Sequence, residues 1–224
     1  MRNRLVAGAG ALIAATALVA LQTGTANATV AGPLLYTSSG VAVNAGDALS
    51  ADLVTGTAAT MFNPGTTTGV TCTASHIGGT VGTNPLVSPT TSGTASGPVN
   101  TLTFSGCTSN VPGVTGVISL TMNNLPYTLA ISDTAGYPVA LTPSAGVIQA
   151  TAVLKTLAGT ATCVLHASVL NGNATNVPPQ INLVKQLLTK TSGPSICFPS
   201  IEFTASYGPV TDTAPGNGQV VLVN

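Results

Sequence analysis

The sequence predicts an all-β protein, built as an antiparallel β-sandwich-like fold, and three observations carry that expectation. Short apolar or β-branched runs recur between Gly, Pro and Asn punctuation along the chain, the pattern of many short strands joined by tight turns. Hydrophobic residues make up 44% of the 224 residues, while Asp, Glu, Lys and Arg together make up 4%, against roughly 25% charge in an ordinary soluble domain. Such a chain can bury a core without being the charged, hydrophobe-poor kind that stays disordered. Four cysteines fall into two pairs of near-equal spacing, Cys72 to Cys107 and Cys163 to Cys197, as in chains stapled outside the cell.

The N-terminal 28 residues stand apart from the fold. Arg2 and Arg4 precede a small-apolar run over 5–21, and a polar stretch then ends in Ala26-Asn27-Ala28. These are the three regions of a secretory signal peptide, residues 1–28, cleaved after Ala28. No basic stop-transfer residues follow the run, so a retained membrane anchor is not expected after cleavage. Asn3 separates the two arginines, so a twin-arginine export signal is not supported.

Beyond the leader, strands are expected over 40–43, 48–54, 69–77, 99–105, 116–122, 127–132, 147–156, 161–170, 180–188, 201–207 and 219–223. This many short strands at this spacing fits a sandwich or barrel. Two runs, 147–157 and 181–188, have helical alternatives. The first is rich in Val, Ile and Thr and the second is short, so both are read as strands. Residues 83–98 form a Pro/Ser/Thr/Gly segment expected to be a long exposed loop. Asn123-Asn124-Leu125-Pro126 is turn chemistry near the middle of the mature chain. It divides the protein into a first β half, 29–124, and a second, 125–224.

Export places the cysteines where thiols oxidise, so Cys72, Cys107, Cys163 and Cys197 are expected to form two disulfides. Cys72 and Cys107 lie 35 residues apart, Cys163 and Cys197 34 apart. The two equal intervals favour sequential pairing, one staple per half. A weak repeat of about 91 residues runs through the same positions: Gly69-Val70-Thr71-Cys72 is echoed by Thr160-Ala161-Thr162-Cys163, and Phe104-Ser105-Gly106-Cys107 by Pro194-Ser195-Ile196-Cys197. It suggests two similar β halves.

Charge excludes several functions. The formal net charge is zero and the pI about 6.7, so no field attracts nucleic acid or anionic lipid. Cleavage removes both arginines, leaving Lys155, Lys185 and Lys190 against Asp47, Asp52, Asp133, Glu202 and Asp212. Without the planar guanidinium fork, nucleotide and phosphate ligands are disfavoured.

No catalytic set emerges. His76 follows Cys72 and His166 follows Cys163, but at different intervals. Strand alternation puts His76 on the face of Cys72 and His166 opposite Cys163. With the cysteines oxidised, no metal or other cofactor is expected. There is no Gly-x-Ser-x-Gly elbow. Asp47 and Asp52 have an odd separation and serve as turn and strand-edge residues, and Asp133 before Thr134-Ala135-Gly136 is a turn residue. The tyrosines and phenylalanines are about what β cores use internally.

The strings Val70-Thr71-Cys72, Phe104-Ser105-Gly106-Cys107-Thr108, Asn123-Asn124-Leu125-Pro126-Tyr127 and Ser192-Gly193-Pro194-Ser195-Ile196-Cys197, with the leader and the Ala/Gly/Thr/Val-rich composition, resemble those of a group of secreted actinobacterial proteins of unknown function. The resemblance implies location and no catalytic residue. A looser, architectural similarity is to the small antitumour-chromoprotein carriers, which are also secreted, four-cysteine and all-β. The expected function is that of a secreted or cell-envelope-associated, non-catalytic protein with a structural or adhesive role, its partners being copies of itself or a cell-surface polymer. The alternative is an extracellular carrier that binds a small neutral or apolar ligand between sheets or halves.

Overall fold

A computed structural model describes residues 31–214 and 218–224; the expected signal peptide, residues 1–28, lies outside the described residues. The described chain is all-β. In chain order the strands are β1 (Gly32–Pro33), β2 (Leu35–Thr37), β3 (Ala48–Asp52), β4 (Ala59–Phe62), β5 (Gly69–Thr80), β6 (Leu86–Val87), β7 (Thr94–Ser109), β8 (Val114–Asn123), β9 (Tyr127–Ser132), β10 (Pro138–Pro143), β11 (Ile148–Thr156), β12 (Gly159–Ala167), β13 (Leu170–Asn176), β14 (Pro179–Ser192), β15 (Ser200–Tyr207), β16 (Thr211–Asp212) and β17 (Gln219–Val223). Both runs with helical alternatives are strands, as their β-branched content implies.

All pairings are antiparallel, and they close into rings. A lower ring of eight strands runs β4, β5, β7, β8, β11, β12, β14, β15 and back to β4. Four of these, β5, β7, β14 and β15, continue upward and exchange their neighbours. β5 passes from β4 to β3, β7 from β8 to β9, and β14 from β12 to β13. With β10 between β9 and β13, and a Leu53–Tyr207 bridge joining the end of β3 to β15, a second ring closes above the first. Around each ring the strands of 29–124 form one continuous run and those of 125–224 the other.

Closure follows from the sequence pattern. β15 throughout, and β11 from Ile148 to Leu154, alternate between buried and half-buried residues, so each offers one apolar face to a common interior. The lower core gathers Met122, Ile148, Leu165, Leu188 and Phe203. There Phe104 and Phe203 meet edge to face, with ring centroids 5.9 Å apart. The upper core gathers Leu34, Val43, Val81, Ile131, Val139 and Val223. Leu129 and Val210 touch both.

An arm made of β16, β17 and β2 extends from β3 across the upper end. Two asparagine carboxamides hold it, each standing in for a peptide unit. Asn176 on β13 donates to the Val223 carbonyl at 2.7 Å and accepts from the Val223 amide at 2.9 Å. Asn84 accepts from the Leu35 amide at 2.8 Å and donates to the carbonyls of Leu35 and Val43, each at 2.7 Å. Replacing Asn176 by alanine should lower the unfolding free energy by about 1–3 kcal/mol and speed amide exchange at Val223; urea denaturation and hydrogen exchange check both.

The expected disulfides are formed, Cys72 with Cys107 and Cys163 with Cys197. Their structural roles differ. Cys72 and Cys107 are register partners on adjacent strands β5 and β7, whereas Cys163 on β12 holds Cys197 in the segment between β14 and β15. Two local expectations fail. Residues 83–98 are not an exposed loop: Val87 and Ala95 are buried in the upper core, and Asn84 stitches the segment to β2. Nor do Cys72 and His76 share a face. Thr73 and Ala74 are both exposed between buried Cys72 and buried Ser75, so alternation slips where β5 changes neighbours.

Candidate functional site

The upper ring is not filled. Where the two cores meet, an apolar hollow of about 90 Å³ remains. β3 contributes Ala51, β5 Ile77, β9 Ile131, β13 Ala174, β14 Ile181 and β17 Val221. No charged side chain lines it; the polar groups on its wall are those of Ser50, Thr80, Thr175 and Gln180. Small eight-stranded barrels are either filled by their own side chains or hold one small ligand. This ring lacks the bulk to fill itself, because Ala51 and Ala174 present only methyl groups to the interior.

One wall is drawn in by close backbone packing. A side-chain carbon at Gly79 would fall 2.2 Å from the Pro98 carbonyl oxygen, and one at Gly97 would fall 1.9 Å from that of Thr80. Glycine at both positions lets β5 and β7 cross more tightly than any side chain would permit. The sheet therefore coils sharply beside the hollow.

The residues singled out from the sequence lie elsewhere. All four cysteines are bonded in the lower part of the barrel. His166 bonds Gln149 through Nε2 at 2.9 Å, and Gln149 donates to Asn123, an amide chain on the outer face of β8, β11 and β12. Asp47 caps a turn by accepting from the Asn44 amide, and Asp133 accepts from the Gly93 amide. Among the described residues no three of His, Cys, Asp and Glu converge as metal ligands.

One constellation was not foreseen. Asp52 and His76 are register partners on β3 and β5, and Asp52 Oδ1 lies 2.8 Å from His76 Nδ1. The carboxylate orients the ring and leaves Nε2 available, close to the space left open by Gly78. However, Asp52 is 81% and His76 40% exposed, whereas a carboxylate that steers a catalytic histidine is buried. Among the described residues no hydroxyl is hydrogen-bonded to His76 Nε2.

Two buried tyrosines brace the rings. Tyr207 is fully buried and its hydroxyl is 2.9 Å from that of Ser75. Burial pushes its phenol far above the usual range, and the Ser75 bond offsets this only in part. Burial also raises Tyr127, against a bond from the Gln149 amide.

Comparison with protein families, curated proteins and solved structures finds no match for this chain. The geometry therefore bears on function alone.

Proposed function

We propose that this is a secreted, non-catalytic β protein that carries a small, neutral, apolar ligand in the hollow of its upper ring. The observation behind this reading is an uncharged apolar void in a protein whose two cores are otherwise packed. A cavity of about 150 Å³ accepts benzene, and this hollow is smaller, so the ligand is a hydrocarbon-like molecule smaller than benzene or an apolar gas atom. Two disulfides are compatible with an oxidising, extracellular setting, and the leader-like N-terminus supports export.

The test is methyl NMR under xenon. Shifts are expected at Ile131, Ile181 and Val221 and nowhere in the lower core. The Ala174→Leu variant should lose the response while unfolding at the same or higher temperature. Unshifted methyls in the parent protein would overturn the carrier reading.

A structural or adhesive role is the second reading, favoured by the outer face. Thr103, Thr121 and Thr151 stand in register across β7, β8 and β11, a neutral hydroxyl row on the lower ring. Native mass spectrometry of protein from its own host separates the two, since a retained small adduct is expected only of the carrier.

A further inference from the structure

A second concavity lies on the outside of the lower ring, apart from the hollow. Its floor is the outward face of β4 and β15, where Phe62 pairs across the strands with Glu202, and Thr60 with Thr204. The loop Gly65–Thr68 forms one wall and Lys185 of β14 the other. The cleft measures about 660 Å³, within the range of roughly 300–1,000 Å³ found for small-molecule sites.

Lys185 is placed there by a local irregularity. The β14–β15 register shifts between Leu183 and Gln186, and Lys185 takes a φ of 51°, the left-handed region that a long side chain rarely occupies. Its amide leaves the ladder and donates to the Thr204 hydroxyl at 2.9 Å. Bulges of this kind re-aim a side chain, and such strain persists where a function retains it. Among the described residues, neither the Lys185 ammonium nor the Glu202 carboxylate has a hydrogen-bond or ion-pair partner. In a mature chain with three lysines and five acids, one of each faces the same cleft unpaired.

We propose that this cleft binds a neutral saccharide. A pyranose ring presents an apolar CH face, which Phe62 accepts, and a rim of hydroxyls that both donate and accept. Glu202 takes hydroxyl donors, Lys185 gives to hydroxyl acceptors, and the threonines of the floor and loop do either. A purely apolar ligand would bury both charges unpartnered, and an anion or cation would meet one unlike and one like charge. The multiple hydroxyls match a polyol better than a zwitterionic amino acid.

The experiment is an amide NMR titration of the full mature chain with three soluble tetrasaccharides: β-1,4-linked glucose, α-1,4-linked glucose and β-1,4-linked N-acetylglucosamine. Shifts from at least one are expected at 60–68, 184–186 and 202–204. Glu202→Gln and Phe62→Ala should each weaken binding by about tenfold or more, while Thr162→Ala on β12 changes nothing. Lys185→Gly should raise the melting temperature by relieving the left-handed strain and yet weaken binding, a pair of effects that a merely structural lysine would not produce. No shift from any of the three at 10 mM, shifts confined to other surfaces, or preferential binding of free glycine would overturn the proposal. Because the hollow shares none of these residues, either outcome leaves the carrier reading standing on its own test.

Discussion

Replacing Cys72 and Cys107 by alanine, or Cys163 and Cys197, should lower the unfolding free energy by about 4 kcal/mol in each case. The magnitude comes from the unfolded chain. Each bridge closes a segment of 35 or 34 residues, and the closure entropy of two such segments is nearly the same. The folded structure gives no reason for equality, since one bridge joins register partners on neighbouring strands and the other pins a connecting segment to β12. Equal losses would therefore show that the restraint acts on the denatured ensemble. If the Cys163–Cys197 variant lost far less, the connecting segment would have to be ordered by its other contacts, such as the Lys190 ammonium donating to the Cys197 carbonyl. Because total stability is usually about 5–15 kcal/mol, full reduction should leave a chain that is marginally folded at best. Urea titrations of the two variants and of reduced protein measure all three values.

Much of the lower barrel was legible because its strands carry their own pattern. In β15, and in β11 as far as Leu154, every second residue is apolar, and the disulfide pairing followed from spacing alone. The upper ring was harder to see. β13 reads Leu-Asn-Gly-Asn-Ala-Thr-Asn, with too little apolar content to announce a strand, yet it supplies Ala174 to the hollow. β10 begins and ends in proline, and in the lower ring β4 is only four residues long. Such strands exist because neighbours on both sides complete their hydrogen bonds, a long-range condition that a local window does not contain. The same limit hid the Asp52–His76 pair and the cleft. Asp47 is the acid near Asp52 in sequence, whereas the partner of Asp52 is 24 residues away and is found only through the β3–β5 register.

Ring closure also accounts for the shortage of charge. Exposed sheet edges are usually guarded by lysine and other charges. Here the eight strands of the lower ring each pair on both sides, and the end of the strand order is β2, three residues long. The barrel leaves little edge to guard, so outward positions can be Thr, Ser and Asn without inviting strand addition. Any self-association would have to use these outer faces, and a surface with so few charges makes it insensitive to salt.

Tyr207 should be the most sensitive single position, with Tyr207→Ala costing about 3–5 kcal/mol. The side chain is fully buried, its backbone forms the bridge to Leu53 that closes the upper ring, and it pairs with Ile181 in the wall of the hollow. Tyr207→Phe keeps the ring and removes the hydroxyl, which strands the buried Ser75 hydroxyl at a cost of about 1–3 kcal/mol. Adding Ser75→Ala to that variant removes the stranded group and should restore most of the loss, so the double mutant is more stable than the sum of the singles allows. The same phenol dictates an alkaline limit. In the unfolded chain it ionises near its ordinary value of about 10, while burial keeps it protonated in the folded state well above that. The folded state then holds a proton that the unfolded state has lost, so stability is constant below pH 10 and falls as pH rises beyond it, by at most about 1.4 kcal/mol per pH unit for this group. Tyr127, raised in the same direction by burial, adds to the slope. Urea midpoints followed from pH 8 to 11 should show the parent protein losing stability faster than Tyr207→Phe above pH 10. Parallel curves would mean that Tyr207 ionises without opening the junction between the rings, and that the Ser75 contact is not what holds it.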